Sequence, residues 1–492
     1  MSRPLPFVRR RLRAGTAVGV TAAIVGAAAL IPALTVGTVV APVGSGPAAA
    51  HVASWPLPPQ PPRPGAARAA VTLYAENVAP LATIGGVQIG GSAFGSSFTK
   101  APWGSDLYYG LTDRGPNVDG PNATKIEPLP DFNPAIGEFA LVGSGSRAHA
   151  VLLRTIPLRA ADGSGYNGRV SLAGGTGETI TDLTGTALDP SPYGYDPEGL
   201  AVLRDGTFWV SDEYGPFITH FDRTGRQLER LSPFDGSLPV ELSLRDPNKG
   251  MEGLTVTPDG RMLVGIMQAA LNAPDGPKSK NVPVVRIVTV DLASRQTHEY
   301  LYALHAGDSV GTTVSEIAAL NAHEFLVDER DSAKEPAANK KLYRIDLRGA
   351  TDVSKHAQVP NATYREVHGG LLVGGRTIEA IAGKNSTATA TANLAAVGVT
   401  PATSRLFLDI GGLVTAIAPD GSFFGHDKVE GVAVVDGGRS VVLSNDSDFG
   451  IDGTTTTTPP FGLQAKILPN GRQDSGELLK VDLAKVPAEY RR

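Results

Sequence analysis

Short apolar runs bounded by turn residues dominate the chain, and four of them open on a glutamate. They read D-P-E-G-L-A-V-L-R-D-G-T-F-W-V-S-D-E-Y from Asp196, G-M-E-G-L-T-V-T-P-D-G-R-M-L-V-G-I-M-Q from Gly250, V-S-E-I-A-A-L-N-A-H-E-F-L-V-D-E-R-D from Val314 and K-V-E-G-V-A-V-V-D-G-G-R-S-V-V-L-S-N-D from Lys428. In each, the glutamate precedes a short apolar strand, a turn, a second apolar strand and a polar or acidic pair. Turns such as R-D-G-T and D-G-G-R between apolar runs predict β-hairpins.

The recurring glutamates are Glu198, Glu252, Glu316 and Glu430, at steps of 54, 64 and 114 residues. The last step is about twice a single one, and a weaker unit, T-I-E-A-I-A around Glu379, falls inside it. An earlier unit ends at Asp113-Arg114. A period in the fifties with one hairpin per unit predicts an all-β fold, a β-propeller of six or seven four-stranded blades. A β-sandwich is the alternative, but it gives no reason for a glutamate to open the same hairpin four times. Long helical periodicity is hardly visible. The stretch 384–393 reads as a loop or weakly specified strand, and T-T-T-T-T-P-P at 454–460 as a surface loop.

Composition agrees with many short strands and tight turns: 58 Gly and 38 Pro in 492 residues, with 41% hydrophobic and 19% charged positions. The N-terminal part stands apart. A basic stretch (Arg9, Arg10, Arg11, Arg13) precedes an apolar run from Ala14 to Val43, and Ala48-Ala49-Ala50 fits a cleavage site. Residues 1–50 therefore read as a signal peptide, or a retained membrane anchor if uncleaved. Residues 51–70 are a Pro-rich linker and 71–492 the folded domain, which predicts a secreted protein. Residues 1–50 hold five arginines and no Lys, Asp or Glu, so the remainder carries a net charge of −10, against −5 for the whole chain. That balance opposes nucleic-acid binding, which needs a basic footprint, and favours cations. The chain has no Cys, which excludes thiol catalysis and Cys-ligated metals.

The innermost strand of each blade lines a propeller's channel, so equivalent residues converge. Carboxylates brought together in this way cannot all stay ionised without a counter-charge. Either some hold protons or a cation sits among them, and oxygen ligands of this kind suit Ca²⁺ or Mg²⁺. The hairpin ends add Asp113-Arg114, Asp212-Glu213, Asp328-Glu329-Arg330 and Asn445-Asp446 as a second tier. Each of these acids either joins the shared site, caps a turn or pairs with a neighbouring Arg.

These segments resemble the phytase-like domain family, the esterase-like activity of phytase family. The resemblance runs from about Val71 to Val481 through L-T-D-R-G-P-N (111–117), P-D-F-N-P-A-I (130–136), Y-D-P-E-G-L (195–200), F-W-V-S-D-E-Y-G-P-F-I (208–218), N-K-G-M-E-G-L-T (248–255), F-L-V-D-E-R-D (325–331) and V-E-G-V-A (429–433). A looser resemblance runs to calcium-dependent six-bladed lactonases and arylesterases, on Glu198, Glu252, Glu430, Asn445 and Asp446. The resemblance implies a metal-dependent hydrolase acting on a small phosphoester or carboxylic ester. Glu198, Glu252, Glu316, Glu430 and Asn445 would hold Ca²⁺, with Mg²⁺ as the alternative. One of Asp212, Glu213, Asp328 or Glu329 would act as general base, and Arg114, Lys249 and Arg330 would hold the substrate anion. The competing reading is an exported binding scaffold in which the cation only staples the blades.

One rival motif is G-D-S-V-G at 307–311, which matches a nucleophile-elbow string around Ser309 with His305 or His323 as base. The next segment, T-T-V-S-E-I-A-A-L, reads as a strand rather than the helix that the elbow needs. Strings for a P-loop or a zinc protease are absent. His426, beside Asp427, is the histidine nearest a motif and reads as a surface or packing residue rather than a catalyst.

Overall fold

The computed structural model describes residues 64–491 except 105, 176, 306–311 and 337. The N-terminal signal-like segment, most of the Pro-rich linker and Ser309 lie outside the described residues. Of the described helices, none is long and apolar enough to cross a membrane.

The fold is mostly β. Among the described residues there are five four-stranded antiparallel units, fewer than the six or seven expected. Unit one comprises Ser97–Lys100, Leu107–Leu111, Ala135–Val142 and His149–Pro157. Unit two is Pro197–Val202, Phe208–Asp212, Ile218–Phe221 and Gln227–Leu231. Unit three is Met251–Val256, Met262–Met267, Val284–Asp291 and Thr297–Ala303. Unit four is Thr313–Ala319, Glu324–Arg330, Lys340–Asp346 and Thr403–Asp409. Unit five is Val429–Val435, Ser440–Asn445 and Glu477–Asp482, completed by Val71–Glu76 from the other end of the chain. That last pair is antiparallel, with Val71 opposite Val481, and Val71–Glu76 also touches His149–Pro157 in parallel. The first strands contact one another in a closed cycle, units one to five and back to one.

The glycine of the E-G step follows from this cycle. A β-carbon on Gly199 would clash with the Leu254 amide nitrogen, and one on Gly253 would fall 2.6 Å from that of Ile317. On Gly431 it would meet the Phe98 nitrogen at 2.5 Å. Neighbouring first strands approach backbone to backbone, and only glycine leaves room. The interfaces between units are filled by the apolar strand positions, for example Leu200, Phe208 and Val210 with Tyr109 and Ile136 of unit one.

The long step between Glu316 and Glu430 is an insertion in unit four, not a further unit. Between its third and fourth strands lie a three-stranded sheet and two helices, Ile378–Ala382 and Thr387–Ala396. Glu379 therefore sits on a helix, buried, accepting from Arg286 Nε at 3.2 Å and Nη2 at 3.0 Å. The stretch expected to be a loop or strand at 384–393 is largely helix, because Ser386 caps it by accepting from the Thr389 amide and Ala390 and Leu394 are buried. Three further small sheets, built from segments at 82–89, 118–126 with 179–181, and 451–465, share a core of Ile89, Val118, Ile126, Phe449, Ile451 and Leu463. This cap contributes Asp119, Lys125 and Asp452 to the wall of a cavity at the entrance to the first strands.

Candidate metal and anion site

In units two to five the first hairpin breaks register at the same place. Pairing passes from Pro197–Asp212 to Leu200–Val210, from Met251–Met267 to Gly253–Ile266, from Val314–Glu329 to Glu316–Asp328, and from Val429–Asn445 to Val432–Leu443. Such a bulge re-aims the side chain it frees. The freed position holds Glu198, Glu252 and Glu430 in units two, three and five, but Ser315 in unit four. Glu316 stands one residue later, where the other units have glycine. The residues that follow Asp212, Met267, Glu329 and Asn445 on the second strands are Glu213, Gln268, Arg330 and Asp446.

These two sets meet. Glu198, Glu213, Glu252, Glu430, Gln268 and Arg330 line a cavity of 580 Å³ together with Lys249, Lys428 and Asn248. It adjoins a second cavity of 390 Å³, which shares Glu198, Glu213, Asn248 and Lys428 and adds Asp113, Arg114 and Asp196. Volumes of this size suit a small ligand. A smaller cavity of 210 Å³ lies at the opposite ends of the same strands, beside Val202, Val256, Ala319 and Val434.

The mouth is crowded with acids. Burial pushes the Glu198 carboxyl well above the ordinary range, and repulsion from Asp196, Glu213, Glu252 and Glu430 adds to it. Glu213 is pushed up in the same way by burial, Glu252 and Asp196, and Glu252 rises to about 7, chiefly through burial. One oxygen each from Asp196, Glu198 and Glu213 lie within 4.8 Å of one another. Two oxygens bound to one Ca²⁺ at about 2.3–2.6 Å stand no more than about 5 Å apart, so the trio fits such an ion. Asn248 adds an orphan: its Oδ1 is buried with no hydrogen-bond partner, in a residue at φ 56°. A neutral oxygen left unpaired among acids is a suitable further ligand.

The cations differ in how far they are already engaged. Arg330 donates from Nε to Ser315 Oγ at 2.8 Å and from Nη2 to Glu430. Arg114 donates to Tyr214, to Glu178 Oε2 at 3.0 Å and to Asn117 Oδ1 at 3.0 Å. Lys428 is held by Asp446 at 2.7 Å and Asp448 at 2.6 Å. Lys249 differs in meeting no acid: its partner is the neutral Gln268 Oε1 at 2.8 Å, and among the described residues no carboxylate lies within ion-pair distance of it.

The structure places the remaining expected residues away from the mouth. Glu316 is buried between first strands, where Oε1 accepts from the amides of Leu254 at 3.2 Å and Ile317 at 2.9 Å, and Oε2 from Ser97 Oγ at 2.5 Å. Ser97 in turn accepts from the Leu200 amide at 3.1 Å. Asn445 accepts from the Glu477 amide at 2.7 Å and donates to Asp474 and Ser475, within unit five. Asp212 closes a turn, accepting from the amides of Tyr214 at 2.6 Å and Gly215 at 3.1 Å, and burial lifts it to about 7. Glu329 accepts from Tyr302 Oη at 2.5 Å and the His305 amide at 2.9 Å. Asp328 is fully buried with neither carboxyl oxygen partnered, and burial pushes it well above its ordinary value. Its equivalents Ser211 and Ser444 donate to the neighbouring unit's carbonyls at 2.9 Å and 2.8 Å.

His305 stacks on Tyr343 and contacts Glu329, while His323 sits in an exposed turn. His426 lies between Asp474 at 2.9 Å and Glu477 at 3.1 Å; burial opposes its charge, but the two acids prevail and raise it to about 9.

Asp196 and Asn248 are the site residues that the repeat does not single out. They stand in Y-D-P-E-G-L and N-K-G-M-E-G-L-T, but just before the strand, where side chains follow no repeat.

A secreted protein of uncharacterised function from Arthroderma benhamiae is 30% identical over 315 residues, which is 51% of this chain and 62% of that relative. The chain thus spans less than two thirds of that relative's length. Among solved structures, the PQQ-bound aldose sugar dehydrogenase of Streptomyces coelicolor aligns at 14% identity over 58% of this chain and 94% of its own, with a TM-score of 0.23. An apocarotenoid oxygenase of Synechocystis aligns at 11% identity over 80% of this chain and 79% of its own, with a TM-score of 0.29. Scores this low establish neither fold nor function. The profile described as Phytase-like, esterase-like activity of phytase, matches residues 93–449, and the chain belongs to that family.

Proposed function

We propose that the five units form a five-bladed propeller and that its acidic mouth is the site of a metal-dependent ester hydrolase. The observation that carries this reading is the convergence of Asp196, Glu198 and Glu213 within 4.8 Å, with the unpartnered Asn248 Oδ1 on the same wall. These four residues would hold Ca²⁺ or Mg²⁺, which supplies positive charge to a substrate oxygen and acidifies a water. Lys249 binds the substrate's anionic oxygen, since its charge is spent on no acid. Glu252, with its carboxyl at about 7, takes and returns a proton near neutral pH. Of the four expected bases, Glu213 lines the cavity, and it serves the cation instead. The substrate is a phosphoester or carboxylic ester, as the family's description implies. Export is supported by the signal-like N-terminus and by the secreted relative.

A second reading is a non-catalytic exported scaffold with a structural cation. It is favoured by the saturation of Arg114, Arg330 and Lys428, which leaves Lys249, of these four, as the one available to an anion. One experiment separates the two. Metal content is measured on the purified chain, and phosphomonoesters, phytate, aryl esters and lactones are assayed with and without chelator. Turnover lost with chelator and in Glu213→Gln supports the hydrolase. A chelator that lowers only the melting temperature, with no turnover on any substrate, supports the scaffold. Neither bound metal nor any response to Ca²⁺ or Mg²⁺ removes both.

A further inference from the structure

The side-chain amide of Gln268 stands between the two kinds of charge in the mouth. Its Nε2 donates to Glu213 Oε1 at 2.5 Å and to Glu252 Oε2 at 2.9 Å, and its Oε1 accepts from Lys249 Nζ at 2.8 Å. Two carboxyls on one end and an ammonium on the other fix which end is nitrogen. The residue is 9% exposed. Charged residues, Glu213, Arg330 and Asp446, occupy the equivalent positions of units two, four and five, so Gln268 is the neutral member of that set.

We infer that Gln268 is a positioning residue that keeps Lys249 from neutralising the acids beside it; this rests on the reading that Glu213 helps to hold a cation. Glu213 already feels the Lys249 charge, without ion-pair contact. Lys249 has a flexible stem and three donors. With the amide oxygen removed, the ammonium is free to turn to Glu213 or Glu252, the two acids that share its Gln268 partner and would lose that donor in the same step. The resulting ion pairs take an oxygen from the cation and cancel the charge offered to an anion. An amide prevents both outcomes with one planar group.

The test measures Ca²⁺ affinity calorimetrically, independent of turnover. Gln268→Met, close in volume, is expected to weaken Ca²⁺ binding roughly 10- to 100-fold, the usual cost of losing a group that orients a metal ligand. Adding Lys249→Met to that variant is expected to restore at least tenfold of any hundredfold loss, because the competing ammonium is gone. A purely structural role for Gln268 predicts no such rescue. If Gln268→Met does not fold, Gln268→Asn, which keeps the amide one methylene short, is expected to weaken binding at least fivefold. Binding within twofold of wild type in the folded variant, or a double variant no better than the single one, overturns the inference while leaving the cation site standing. Wild-type protein that binds neither Ca²⁺ nor Mg²⁺ overturns both.

Discussion

Buried acids occur at two depths along the first strands, and their neighbours differ in kind. Glu316 is surrounded by donors: two backbone amides and the Ser97 hydroxyl meet its two oxygens. Glu198, Glu213 and Glu252 are surrounded largely by one another. The deep acid is satisfied by the fold and ties the free strand edges of three units together. The acids at the mouth are left for protons or an outside cation. Burial and sequence motif are shared by both sets, so neither separates structural from functional carboxylates. The identity of the nearest hydrogen-bonding partners does.

The largest effect that tests this contrast is expected at Glu316. Glu316→Ala leaves three buried donors unmet, at about 1–3 kcal/mol each, so urea unfolding should show a loss of at least ~3 kcal/mol. A loss below ~1 kcal/mol breaks the contrast. The pH dependence of the metal-free protein comes next. The folded state raises Glu252 from 4.5 to about 7. Its stabilising contribution is therefore complete below pH 4.5 and lost as pH rises through about 7, on the order of 3 kcal/mol. Glu252→Gln should flatten that part of the stability–pH curve. Asp212, also raised to about 7, contributes equally to both proteins and cancels in the difference.

Glu213→Gln should weaken Ca²⁺ binding roughly 10-fold or more, which removes about 1.4 kcal/mol or more of the stabilisation at a fixed Ca²⁺ level. Without metal the same variant should be at least as stable as wild type, since a repelled carboxyl is gone; calorimetric melting with and without Ca²⁺ reads both. The smallest effect belongs to Asp328→Asn. A carboxyl already held neutral by burial should be replaced at a cost below ~1 kcal/mol, and a larger loss in chemical unfolding would show that it is ionised.

The first hairpins of units two, three and five were legible in the sequence because the glycine after each glutamate answers to a close backbone approach. The facing of the side chains was not. In V-S-E-I the letter E matches E-G-L, but the strand register puts Ser315 at the position of Glu198, Glu252 and Glu430, and Glu316 in the glycine's place. A one-residue offset of this kind exchanges faces, and only pairing reveals it. The number of units was overcounted in part because T-I-E-A-I-A around Glu379 carries the letters of a unit but forms a helix within the insertion. The saturation of Arg114, Arg330 and Lys428 was also invisible, since Arg114 and Arg330 engage partners 64 and 100 residues away.

Val71–Glu76 is the earliest strand of the domain, and its antiparallel partner is Glu477–Asp482. During synthesis the first strand is made roughly 400 residues before the one that completes its pairing. The pairing that completes unit five therefore cannot form before residue 481 has been made. Units two to four, whose strands are local, are free to form early and already hold Asp196, Glu198, Glu213 and Glu252, whereas Glu430 joins them only with unit five. The repulsion that Glu430 adds to Glu198 is thus deferred to a late step of folding, which for an exported chain would fall after passage across the membrane.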